Sequence, residues 1–160
     1  MSKQVMTRRA SDNKYLHRDF HVSADIGLEY VGRQYGDKGV EEYLTEFTVE
    51  YYKPLIENCK KIGIKAIEEW LRETYKKEEA EEAIEIISNE NEISVKIKYC
   101  PAVEFMKKSG HVPSKWFKQT TILVNRVIAE QSGLIFEMGQ YDELTGKADF
   151  IFKRFIGEKR

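Results

Sequence analysis

Cysteine, proline and histidine are scarce in this 160-residue chain, at two, three and three residues. Cys59 and Cys100 cannot build the disulfide framework on which small secreted domains rely, so reduced thiols in a cytoplasmic protein are expected. No apolar run approaches the roughly 20 residues of a membrane span. Met1 to Asn13 carries Lys3, Arg8 and Arg9 but no apolar stretch of the secretory kind. Residues 1–12 are read as a flexible tail and residues 13–156 as a single domain. An excess of charge of one sign is also missing: 26 basic residues face 27 acidic ones, for a formal net charge of −1. A general nucleic-acid binder needs a net basic surface, so neither nucleic acid nor membrane is expected as a partner. The chain has no G-x-G-x-x-G, G-x-x-x-x-G-K-[ST], C-x-x-C or G-x-S-x-G. Those gaps disfavour nucleotide-dependent chemistry, zinc ribbons, thioredoxin-type redox work and the serine-hydrolase elbow.

What is present is enough for a self-sufficient core, with 41% hydrophobic and 12% aromatic residues. Asn13 to Gln34 reads as a helix stopped by Gly36, and Asp37 can cap a second one. Val40, Leu44, Phe47, Tyr51, Leu55 and Cys59 carry that second helix at helical spacing, kinked or divided at Pro54. After Gly63 a third helix runs through Ile67, Leu71 and Tyr75, and the acidic run Glu78 to Glu82 reads as its solvated end. The period then changes. Ile93, Val95, Ile97 and Tyr99 alternate with polar residues and pair with Ile84 to Ile87 as a hairpin. A short helix from Pro101 and a longer one capped by Ser114 follow, and Gly133 stops the second. Leu134 to Tyr141 and Lys147 to Phe155 close the chain as a second hairpin around Asp142-Glu-Leu-Thr-Gly146. The expected fold is α+β: one antiparallel sheet built from two hairpins, with several helices packed on it, in the order helices, hairpin, helices, hairpin.

His17, His21 and Asp25 stand at intervals of four on one face of the first helix. Three readings compete for them. The histidines could hold a divalent ion with a third ligand from elsewhere; Asp25 lies eight residues from His17, about 12 Å along a helix, and cannot easily share it. Asp25 could instead accept a hydrogen bond from His21 and leave its other nitrogen as a base. Or all three could be partly buried, hydrogen-bonded side chains with no reaction to perform. Cys100 precedes Pro101 at a strand-to-helix corner. A helix N-terminus there can lower a thiol pKa below the roughly 8.5 of a free cysteine. The alternative for Cys100 is a small buried residue filling the corner. Cys59 reads as core, His111 as a surface histidine on a loop, and Asp142 as a turn residue. Asn125 interrupts an apolar stretch, where it binds either a ligand or a neighbouring backbone group.

The helical segment Tyr15 to Asp25, the Tyr35-Gly36 stop and Cys100-Pro-Ala-Val103 together resemble the L-2-amino-thiazoline-4-carboxylic acid hydrolase family. Tyr141-Asp-Glu-Leu-Thr-Gly146 and Phe150-Ile-Phe-Lys-Arg154 extend the likeness, which spans about Asn13 to Phe155. The resemblance implies hydrolytic opening of a small sulfur-containing ring to an N-carbamoyl cysteine. The ring carbon between nitrogen and sulfur is the atom attacked, by a Cys100 thiolate or an activated water, with His21 moving the proton. One departure stands out: such sequences lead one to expect a second cysteine near Lys118, where this chain has Trp116-Phe-Lys-Gln-Thr120.

The expectation is thus a small cytoplasmic hydrolase, with Cys100, His21 and Asp25 catalytic and His17, Asn125 and Tyr141 binding the substrate. The alternatives are a non-catalytic domain that binds or senses a small molecule, and a protein whose exposed aromatics make a homo-oligomer. No cofactor is expected; a divalent metal at His17 and His21 is the disfavoured option.

Overall fold

The computed structural model describes residues 18 and 20–155. Five helices and a four-stranded antiparallel sheet occur among them, in the α+β order read from the sequence. The tail expected at 1–12 and the helix start expected from Asn13 to His17 lie outside the described residues.

Helix α1 (Phe20–Tyr51) buries Asp25, Leu28 and Gly32, then Val40, Leu44 and Thr48, at spacings that keep one stripe inward. Between the two groups Gly36 leaves the helical region, at φ 69° and ψ −167°, so the expected stop is a kink inside one long element. The second break falls at Tyr52, not within the helix. Helix α2 (Lys53–Ile62) carries Pro54 in its first turn, where the missing N–H costs no intrahelical bond. Helix α3 (Lys65–Lys77) follows and buries Ala66, Ile67, Leu71 and Tyr75.

Strands β1 (Ile84–Ser88) and β2 (Glu92–Ile97) are joined by a turn that Asn89 closes, its Oδ1 accepting the N–H groups of Asn91 and Glu92 at 2.9 and 3.0 Å. Strands β3 (Leu134–Tyr141) and β4 (Ala148–Arg154) form the other hairpin. The sheet order is β1-β2-β4-β3, so β2 and β4 join the hairpins with Ile93 opposite Phe152 and Val95 opposite Phe150. Alternation turns Ile93, Val95, Ile97, Ala148, Phe150 and Phe152 inward and leaves Lys96, Lys98 and Asp149 to solvent. Helix α3 packs on β1, helix α5 (Gln119–Ser132) packs on β3, and α1 and α2 pack on α5.

Helix α4 (Pro101–Lys108) stands apart from this core. Ala102, Val103, Met106 and Phe117 form a second buried cluster, with Val22 and Cys100 against it. At about 1.5–3 kcal/mol for a fully buried large side chain, that cluster is enough to tie α4 to the first turns of α1. Ser114 does not cap α5, which starts at Gln119 after turns that bond Phe117 N–H to Ser114 O at 3.0 Å and Gln119 N–H to Trp116 O at 2.9 Å. Trp116 lies against Gly32 and donates from Nε1 to Asp37 Oδ1 at 2.7 Å. No helix among the described residues is long and apolar enough to cross a membrane.

Candidate functional site

His21 and Asp25, one turn apart on α1, each meet a partner from a distant part of the chain. The Nε2 of His21 lies 2.8 Å from Glu78 Oε1, and the two side chains are 20% and 9% exposed. Glu78 therefore is not part of a solvated helix end. It stands just after α3, held there by the way the helix terminates. Ala80 N–H bonds to Tyr75 O and Glu79 N–H to Lys76 O, the pair of bonds of a Schellman turn. Glu79 occupies the left-handed position at φ 55°, where glycine is usual. Arg18 spans the junction, donating from Nη2 to Glu78 O at 3.0 Å and to Glu79 Oε2 at 2.9 Å.

Asp25 is fully buried and does not pair with His21 as the sequence suggested. Its Oδ2 lies 2.7 Å from His111 Nε2 and accepts the backbone N–H of Ser114 at 2.8 Å, while its Oδ1 accepts the Ser114 hydroxyl at 2.7 Å. A buried carboxylate is costly unless it is bonded on both oxygens, and this one is. His111 is accordingly not the surface histidine expected; its side chain is 20% exposed and is anchored to α1. The site thus holds two carboxylate–imidazole pairs, rooted four residues apart on one helix.

Cys100 is the N-cap residue of α4, with extended backbone and Pro101 next. The corner is as the Cys-Pro pair implied, but its electrostatics differ. Burial pushes the Cys100 thiol up; the N–H groups of Val103 and Ala102 pull it down by less, and the negative charge of Glu78 adds to the rise. The resting group is therefore a thiol rather than the pre-formed thiolate that the helix terminus alone suggested. Tyr75 and Tyr141 stand within reach of its charge. Burial, then the charge at Cys100, pushes both phenols up; Glu78 adds to the rise at Tyr75, and the Thr121 hydroxyl offsets part of it at Tyr141. Cys100, Glu78, Tyr75 and Tyr141 hence form one electrostatic neighbourhood. His21 enters it through Glu78.

The remaining candidates divide. His17 lies outside the described residues. Asn125 is 5% exposed on α5, and its Oδ1 has no hydrogen-bond partner among the described residues. It shares a helix face with Thr121, one turn before it, and Thr121 holds Tyr141. Among the described residues no three His, Cys, Asp or Glu side chains converge as a metal set. Cys59 is 3% exposed in the main core, and it and Cys100 are both free thiols.

Glu78 and His111 are the residues that sequence reasoning missed. Glu78 continues the inward stripe Ile67, Leu71 and Tyr75 of α3 at the next helical step, so a carboxylate on an apolar face was the available signal. For His111 there was none, since its partner is 86 residues away. No protein-family model matches this chain, and no curated protein matches it.

Proposed function

We propose that the chain is a small hydrolase that opens a cyclic, amidine-like carbon–nitrogen/carbon–sulfur centre, of the kind found in 2-amino-thiazoline-4-carboxylate. The observation that carries this reading is the His21–Glu78 pair, whose carboxylate lies within charge range of the Cys100 thiol at the head of α4. A carboxylate on Nε2 favours the tautomer that donates there, which leaves Nδ1 of His21 as the base. The thiol is neutral at rest, so its proton, or that of a water in its place, passes to His21 as the bond to the ring carbon forms. The carbon–sulfur bond of the ring then breaks, and the departing sulfur takes up a proton. One water is consumed in all and the product is an N-carbamoyl cysteine; if Cys100 attacks first, that water cleaves the carbon–Sγ bond in a second step. The proton taken up by His21 is the one returned to the departing sulfur.

Release of free thiol from 2-amino-thiazoline-4-carboxylate tests this. The wild-type chain should liberate thiol continuously, and His21→Gln should lower kcat by about 10²–10⁴-fold, the range of a lost general base. Cys100→Ser separates the two nucleophiles: abolition points to covalent attack, and retained turnover to water. Absence of turnover by the wild-type chain contradicts the proposal.

A further inference from the structure

The β3–β4 turn, Asp142 to Gly146, lies on Cys100. Cys100 N–H donates to Thr145 O at 2.8 Å, and a Cβ added at Gly146 would collide with Cys100 Cβ. The turn is internally stiff. Asp142 accepts from Leu144 N–H and from the Thr145 hydroxyl, each at 2.8 Å, and its carbonyl accepts Gly146 N–H at 2.7 Å. On the β3 side the backbone ladder is interrupted by a register shift between Met138 and Tyr141, where Asp149 Oδ1 accepts Gln140 N–H at 3.1 Å, and pairing resumes at Tyr141 opposite Ala148. On its outer side Glu143 Oε1 meets Lys118 Nζ at 2.5 Å. The groove among Ser114, Phe117, Lys118, Tyr141 and Glu143 holds about 10 Å³, space for roughly one water.

We propose that the β3–β4 turn is a lid over Cys100, latched by the Lys118–Glu143 ion pair and hinged at the β3 bulge. A stiff turn beyond a break in the ladder moves as a unit. The latch side chains are 37% and 55% exposed, so the pair is screened by solvent and opens at little cost. The lid takes its functional meaning from the hydrolase reading. Its test reads the alkylation of Cys100 at fixed pH and needs no turnover, so either idea can fail without the other.

The experiment is alkylation of the full chain by iodoacetamide, a neutral reagent, with the rates at Cys100 and Cys59 resolved by peptide mass spectrometry. Glu143→Gln should speed Cys100 by about two- to fivefold, as loss of an exposed ion pair allows, and leave buried Cys59 unchanged. Salt at about 1 M, where screening is nearly complete, should give wild type the same gain and add nothing to Glu143→Gln. Gly146→Ala, which forces a Cβ into Cys100 at φ 66°, should displace the turn and speed Cys100 about tenfold or more. Unchanged Cys100 rates in both variants would overturn the lid. So would equal acceleration of Cys59 and Cys100, which reports general unfolding.

Discussion

Asp25 shows how one side chain can be both anchor and orienter. It accepts three hydrogen bonds while fully buried, so its loss would strand the Ser114 N–H and the His111 ring together. Asp25→Ala should therefore cost about 2–4 kcal/mol, measurable as a lowered urea midpoint. At Cys100 the competing effects are burial and the helix terminus, and burial wins. Its alkylation rate should accordingly titrate above the roughly 8.5 of an ordinary thiol, not below it. A midpoint under 8 would show that the α4 terminus dominates. The Cys-Pro dipeptide made the corner legible, because proline after a strand announces a helix start. How deep the corner lies was not legible, since that depends on Gly146 and Thr145, more than forty residues later in the chain.

Within α1, two glycines a few residues apart make a paired test of element against packing. Among the described residues a Cβ at Gly27 meets nothing within 4 Å, whereas one at Gly32 would fall inside the indole ring of Trp116. Gly27→Ala should stabilise by about 0.5–1 kcal/mol, the helix propensity difference. Gly32→Ala gains the same propensity but must displace Trp116 from Asp37, and should lose about 1–3 kcal/mol net. Urea unfolding followed by tryptophan fluorescence reads both, and equal effects would contradict the packing of Trp116 on α1. The elements themselves were largely legible. Period, glycine and proline placed every strand and most helix ends, since those signals act within a few residues. Ser114 misled because a hydroxyl before a helix resembles a cap, while its actual partner is the buried carboxylate of Asp25.

For the whole molecule, several protons are held more tightly in the folded chain than in the unfolded one. Burial pushes up the thiols of Cys59 and Cys100 and the phenols of Tyr75 and Tyr141, and moves Tyr52 to about 12. Each shift is upward, so its stabilising effect is complete below pH 9 and is lost as pH rises through the folded values. Urea midpoints should fall between pH 9 and 11 and stay nearly level between pH 7 and 8.5. A flat profile to pH 11 would contradict the burial of these groups. The α+β class and a single antiparallel sheet built from two hairpins followed from element order, whereas the joining of the hairpins through β2 and β4 did not. The site did not, because α1, α3, α4 and the β3–β4 turn each contribute to it and only long-range packing brings them together.

The central claim is that Glu78, His21 and Cys100 act as one unit, and kcat of Glu78→Gln against wild type on 2-amino-thiazoline-4-carboxylate tests it most directly. The expected result is continuous thiol release by wild type and a loss of about 100-fold or more in the variant, with an unchanged urea midpoint. Full activity in Glu78→Gln, or no turnover by the wild-type chain, would contradict it.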